Sequence, residues 1–224
     1  MKIIHEDKHI VVVEKPQNCP VQRDQTKQRC LMEMVTDYYE FSKGIDNPYL
    51  GLVHRLDRHT GGIVVFARTE QATRTLSALF ASHALSKRYT ALVEGKLEEG
   101  RGVLVDYLLT DPKVNKTEIV SKNTDNAKMA KLNYLVTDVF ETNEGTITEL
   151  SIKLFTGRQH QIRAQFSHLG HPIVADVKYG SKWPNAMHTS MALWATELKF
   201  SAFGTNYHFN SSPPITGIWA IKQG

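Results

Sequence analysis

Cysteine is scarce in this chain, with only Cys19 and Cys30 among 224 residues, and neither belongs to a metal-ligand pattern. Their number and spacing suggest free thiols in a reducing compartment rather than a disulfide scaffold. No apolar run approaches the ~20 residues needed to span a bilayer. The opening segment Met1-Lys2-Ile3-Ile4-His5-Glu6-Asp7 lacks the apolar core of a secretory signal, so a soluble, cytoplasmic protein is the expectation. There is no glycine-rich phosphate loop, dinucleotide fingerprint, internal repeat or low-complexity tract, which excludes the common nucleotide-binding motifs and repeat architectures. The 10 histidines invite a metal site, His54 with His59 or His160 with His168 and His171. Neither group has His-Glu-x-x-His or cysteine-rich spacing, so no metal is expected.

What is present is ordinary globular usage, 41% apolar and 22% charged residues, with Lys and Arg at 27 against 23 Asp and Glu. The net charge of +4 and a sequence pI near 9.0 favour a polyanionic partner. The length allows one large domain or two small ones, and a single catalytic domain over residues 1–224 is expected.

Residues Ile10-Val11-Val12-Val13 predict a short buried strand ended at Glu14-Lys15-Pro16, with Lys15 as a solvated turn residue. From Thr26 to Ser42, Leu31, Met34, Val35, Tyr38 and Phe41 recur at helical spacing before Gly44. Thr69 caps a second predicted helix with Ala72, Leu76, Leu79 and Phe80 on one face and Arg68 and Arg74 toward solvent. Strands are expected over 88–93, 103–108, 130–136, 150–154, 193–201 and 205–209, and the polar stretch 111–126 reads as a hairpin or mobile loop. A third helix carries Ile162, Phe166 and Leu169 on one face, with Arg163 at its boundary, and ends at Gly170. The fold class that follows is α+β, a mixed, mainly antiparallel sheet flanked by helices.

The stretch Val53-His54-Arg55-Leu56-Asp57-Arg58-His59-Thr60-Gly61-Gly62 sets one carboxylate among cations and feeds the apolar run Ile63 to Ala67. Such a turn presents a carboxylate at a sheet edge and holds it ionised. Read alone, it is more often a surface ion-pair loop before a strand. Two more blocks stand out, Lys87-Arg88-Tyr89-Thr90-Ala91-Leu92-Val93-Glu94-Gly95 and Thr156-Gly157-Arg158-Gln159-His160-Gln161-Ile162-Arg163. The three together, in this order, resemble the RluA-type pseudouridine synthases.

The resemblance covers the chain from about Ile10 to Pro214 and implies the fold just described, an RNA substrate, ribosomal or transfer, and no cofactor. Pseudouridine formation breaks the glycosidic bond of a uridine, turns the base and rejoins its C5 to the ribose. By motif match Asp57 is the attacking carboxylate, the only one in its motif. Arg163 pairs with it, Tyr89 stacks on the base and assists proton removal, and Ile162 forms part of an apolar wall. A uridine in structured RNA must leave its stack, and Arg55 matches an arginine placed in the vacated space. Arg58, Arg88, Arg158 and His160 are candidates for phosphate or ribose contacts, with cap or loop packing as the alternative for Arg58 and His160.

Gly61 stands where the family usually has Ser, Ala164-Gln165 replaces a hydrophobic residue and His, and Lys131 takes a position often filled by Thr. A monomer is expected, without the amino-terminal RNA-binding module of longer family members. Two other classes compete: a catalytically silent RNA-binding or ribosome-assembly protein, separated by measuring pseudouridine, and a metal-assisted hydrolase, separated by a chelator.

Overall fold

A computed structural model describes residues 1–24, 28–183 and 190–223. The chain forms two compact units, one of residues 1–86 and 195–212, the other of 87–194 and 213–224.

The first unit is built on β-branched strands. β1 (Lys2–Glu6) pairs antiparallel with β2 (Ile10–Lys15), which pairs antiparallel with β4 (Gly61–Ala67); the two-residue β3 (Gly51–Leu52) adds to β4. Every residue of β4 is buried, as an uninterrupted apolar strand requires. Gly62 has φ of +110°, and a Cβ there would stand 2.3 Å from the Ala195 carbonyl oxygen, so only glycine fits. The predicted first helix appears as α1 (Leu31–Asp37), followed by a π turn over Tyr38–Ser42; the expected start at Thr26 lies outside the described residues. Leu31, Val35 and Tyr39 form its buried row, while Phe41, expected on that face, is exposed because the wider π turn rotates it away. α2 (Glu70–Ala81) matches its prediction: Thr69 Oγ1 accepts from the Ala72 N–H, and Ala72, Leu76 and Phe80 are buried. Arg68 departs from the expected solvent position. It bonds the Asp7 carbonyl, pairs with Glu6 at 3.3 Å and lies 4.7 Å over the Tyr39 ring.

The last strands of the chain are β10 (Leu193–Ala202) and β11 (Thr205–Asn210), paired antiparallel. Leu198, Phe200, Tyr207 and Phe209 close the apolar cluster that Ile10, Ile63 and Leu76 begin.

The second unit is an antiparallel sheet in the order β5 (Ser86–Glu94), β9 (Gly145–Leu154), β8 (Lys128–Thr142), β6 (Arg101–Asp111) and β7 (Lys116–Val120). The polar stretch read as hairpin or loop contains the β6–β7 turn, with Asp111 opposite Lys116. Alternation is kept along β8, where Ala130, Leu132 and Tyr134 are buried and Met129 and Leu135 exposed. α3 (Gln161–His168) covers the buried face, its Ile162 and Phe166 joining Leu132, Leu150 and Ile152. Leu169 was expected on that stripe but is exposed, since the helix stops at His168 and Gly170 turns with φ of +89°.

Candidate active site

The signature segment 53–60 is a loop between β3 and β4, and its shape is fixed by groups far away in sequence. Lys15 is fully buried, against the expectation of a solvated turn residue. Its ammonium donates to the carbonyls of Pro16 at 3.0 Å, Cys19 at 2.7 Å and Arg58 at 2.9 Å. All three of its protons are thereby used. The β2–β4 register sets Lys15 opposite Gly62, which brings the ammonium to the loop. Burial lowers the Lys15 pKa from 10.5 to about 8, while the charges of Cys19 and Asp57 act the other way.

The loop is held from other sides as well. His54 Nε2 accepts from the Val65 N–H at 3.0 Å, and its ring stacks on Phe80 at 4.4 Å and 9°. His59 Nδ1 meets Asn18 Oδ1 at 2.6 Å, Gln17 donates to the His59 carbonyl at 2.8 Å, and the Arg58 guanidinium bonds Gln28. The Thr60 N–H closes a turn onto the Asp57 carbonyl at 3.1 Å. Both cysteines are free and buried. Within this frame Asp57 and Arg58 are half-buried, whereas Arg55 is exposed and meets no partner among the described residues.

Replacing Lys15 by Met keeps the buried volume and removes the three donors. Lys15→Met is expected to lower stability by about 2–4 kcal/mol near pH 7, measured by denaturant unfolding, through the stranded carbonyls. Because the folded pKa lies below the unfolded one, the unfolded chain binds the extra proton between pH 8 and 10.5. Stability contributed by Lys15 therefore rises with pH across that window, and the wild-type advantage over Lys15→Met grows by up to about 3 kcal/mol. An advantage that shrinks with rising pH would contradict the assignment.

The remaining site residues lie in the second unit. Tyr89 on β5 is opposite Ile152 and packs against the apolar cluster; Arg88 beside it points to the exposed face. Lys87, one residue earlier, is held below the usual lysine pKa by burial, and its Nζ would lie 3.1 Å from a Cβ added at Gly157. The third motif forms the start of α3. Thr156 Oγ1 donates to Gln161 Oε1 at 2.8 Å, which also accepts from the Arg158 N–H at 3.1 Å, and Arg158 Nε donates to the Met129 carbonyl at 3.0 Å. His160, at φ of +50°, is the residue before the helix, and its Nδ1 meets the Tyr179 hydroxyl at 2.9 Å. His160 is buried, at 9% exposure, so the packing alternative describes its surroundings.

Arg163 is 6% exposed and forms a two-pronged pair with Asp176, Nε to Oδ2 at 2.6 Å and Nη2 to Oδ1 at 2.9 Å. Its guanidinium also lies 4.7 Å over the Tyr179 ring, whose hydroxyl accepts from the Thr117 N–H at 2.8 Å. Burial pushes the Tyr179 pKa upward, which keeps the phenol protonated. Asp176 and Tyr179 were not read as site residues from sequence; the only signal was a lone acid 13 positions after Arg163, in the segment that follows α3. Among the described residues, no three metal-ligating side chains gather, and no helix is long and apolar enough to cross a membrane.

The first unit carries a braced Asp57 loop and the second a buried, carboxylate-anchored Arg163 helix, each on antiparallel strands, and the fold is α+β. Residues 9–168 match the model of the family described as RNA pseudouridylate synthase. The ribosomal large subunit pseudouridine synthase D of Pseudomonas aeruginosa is 31% identical over 97% of this chain, which spans 66% of that protein. The tRNA pseudouridine synthase C of Vibrio cholerae is 30% identical over 89% of this chain and 85% of its own. The solved structure of human RNA pseudouridylate synthase domain containing 1 shares the fold, with a TM-score of 0.80 at 22% identity, over 96% of this chain and 84% of that one. The chain belongs to the RNA pseudouridylate synthase family, and its class of activity is that of an RNA pseudouridine synthase, an isomerase.

Proposed function

We propose that the protein isomerises particular uridines of ribosomal or transfer RNA to pseudouridine, with Asp57 as the attacking carboxylate and the two units acting as one catalytic domain. The observation that carries this reading is the construction of the Asp57 loop: a fully buried ammonium, Lys15, grips its backbone from beneath. A nucleophile that must meet a sugar carbon needs its backbone fixed before the substrate arrives.

In the reaction the bond from C1′ to N1 breaks and the bond from C1′ to C5 forms. A proton leaves C5 and one is gained at N1, so atoms balance without a redox partner or group donor, and no cofactor or metal is invoked. Arg163, locked by Asp176, is in this reading the cation that serves Asp57. Tyr89 stacks on the detached uracil and assists the proton transfer, and Ile162 contributes to the apolar wall. Arg55, exposed, enters the space left when the uridine flips out. Arg58, Arg88 and Arg158 contact phosphate or ribose, while His160 acts on the fold through Tyr179. A cytoplasmic monomer suits this role.

The test is to incubate the pure protein with total RNA from cells lacking its gene and to quantify and map pseudouridine chromatographically and by sequencing. New pseudouridine at one or a few uridines is expected. RNA binding without any new pseudouridine would overturn the enzyme reading and leave a silent RNA-binding protein.

A further inference from the structure

We propose that the exposed face of the second unit's sheet is a further RNA-binding surface that takes an unpaired stretch of the substrate RNA, with Phe155 as a stacking platform between Lys131 and Lys153. The proposal rests on the reading of the protein as an RNA enzyme and concerns residues which that reading does not use.

The face is a consequence of strand alternation. Ala130, Leu132 and Tyr134 turn inward beneath α3, so their neighbours Met129, Lys131, Asn133 and Leu135 turn outward. The register sets Asn133 between Val103 on β6 and Lys153 on β9, and Lys153 beside Arg88 on β5. A second row joins Arg101, Leu135, Ser151 and Thr90. Val103, Val105 and Leu135 are each more than half exposed, an apolar floor on a sheet face that ordinarily would carry polar side chains.

The charge on this floor has one sign where the apolar residues are. Phe155 is 37% exposed, and the ammoniums of Lys131 and Lys153 lie over its ring, at 5.2 Å and 5.3 Å from the centroid. Among the described residues Lys131, Lys153 and Arg101 meet no carboxylate within ion-pair distance; of the acids on the same strands, Asp106 accepts from Gln165 of α3, Asp111 lies opposite Lys116 at the β6–β7 turn, and Asp138 and Glu141 lie toward the far end of β8, opposite Glu149 and Thr146. An exposed aromatic ring that carries cations on an open sheet suits a single-stranded nucleic acid, whose base takes the ring face as its phosphates draw the ammoniums aside. An acidic protein segment would match the charge but leaves the ring's flanking cations without the stacked base.

The surface is also rigid. Thr156 Oγ1 accepts from the Lys131 N–H at 2.8 Å, the Phe155 N–H donates to the Lys131 carbonyl at 3.0 Å, and Gln161 Nε2 donates to that same carbonyl at 3.2 Å. Lys131 and Phe155 are therefore tied to the first residue of the helix that bears Arg163, so binding energy gained on this face acts on a fixed part of the unit.

The experiment measures binding of a labelled oligouridylate of about 12 nucleotides by fluorescence anisotropy to wild type, Phe155→Ala and the double variant Lys131→Ala with Lys153→Ala. Loss of at least about fivefold in affinity is expected for Phe155→Ala. For the double variant the slope of log affinity against log salt should flatten by about 1.4. Bromouridine in the same oligonucleotide should crosslink to the peptide containing Phe155, and circular dichroism melts should coincide for all three proteins. Wild-type affinity and salt slope in both variants, or no binding by wild type, would overturn the proposal. So would intact RNA affinity combined with lost binding to polyglutamate, which would make the face a protein-docking surface. Total RNA run in parallel separates the two readings. Pseudouridine formed by wild type with unaltered oligonucleotide binding by the variants removes this surface and keeps the enzyme. No pseudouridine with weakened binding by the variants keeps the surface and removes the enzyme.

Discussion

Asp57→Asn is expected to abolish pseudouridine formation, lowering turnover by at least about a thousandfold, while RNA affinity stays within about twofold of wild type. The amide is isosteric, so the loop held by Lys15, His54 and the Asn18 contact to His59 keeps its shape. What disappears is a negatively charged oxygen able to attack carbon. Removal of a group that reacts only in the transition state lowers kcat and kcat/KM together, whereas loss of a general RNA contact raises KM alone. Single-turnover conversion of a mapped substrate RNA, with filter binding of the same RNA, reads both quantities. Residual turnover above about a tenth of wild type would remove Asp57 from the role of nucleophile and turn attention to Tyr89 and the half-buried Lys87.

The contrast between Asp57 and Lys15 shows what sequence makes legible. Asp57 stands inside a motif with an unusual local mix of residues, and Ile10 to Val13, Ile63 to Ala67 and the Thr69-capped helix are local patterns too; each is found where periodicity puts it. Lys15 followed by Pro16 reads locally as a turn, because nothing nearby announces that its ammonium will be met by a carbonyl 43 positions away. Only strand register, which pairs Lys15 with Gly62, reveals that its side chain enters the protein. The same holds for Arg163. Its position beside an apolar stripe suggests a buried carboxylate partner, and Asp176 is such a partner, yet it lies 13 positions on, past the end of the helix. Phe41 and Leu169 fail in the opposite sense. Spacing alone placed them inward, but a π turn in one case and a helix end in the other decide which way the side chain points.

The pairing of Arg163 with Asp176 predicts the largest effect on stability. Both groups are nearly solvent-free, at 6% and 3% exposure, so removal of the acid leaves a guanidinium that can neither reach water nor lose its proton. Asp176→Ala is expected to lower stability by about 3–5 kcal/mol. For a chain of this length that is a fall of roughly 6–20 °C in Tm. Salt up to 0.5 M should leave the difference unchanged, because a buried pair is screened far less than an exposed one. Tyr179→Phe removes only a hydroxyl shared by His160 and the Thr117 N–H and should cost about 1–3 kcal/mol, a useful scale for the larger loss. Calorimetric scans of the three proteins at two salt concentrations provide the comparison. An Asp176→Ala melt within 2 °C of wild type would mean that the guanidinium finds equivalent partners without the acid, and the aim of Arg163 would then have to come from another part of its surroundings. If the melt falls as expected, kcat measured well below the new Tm discriminates further: a merely structural pair leaves kcat intact in the folded fraction, whereas a positioning pair lowers it there too. Asp176→Asn, which keeps the shape and two polar atoms, should recover part of both losses, and more of the stability than of the turnover.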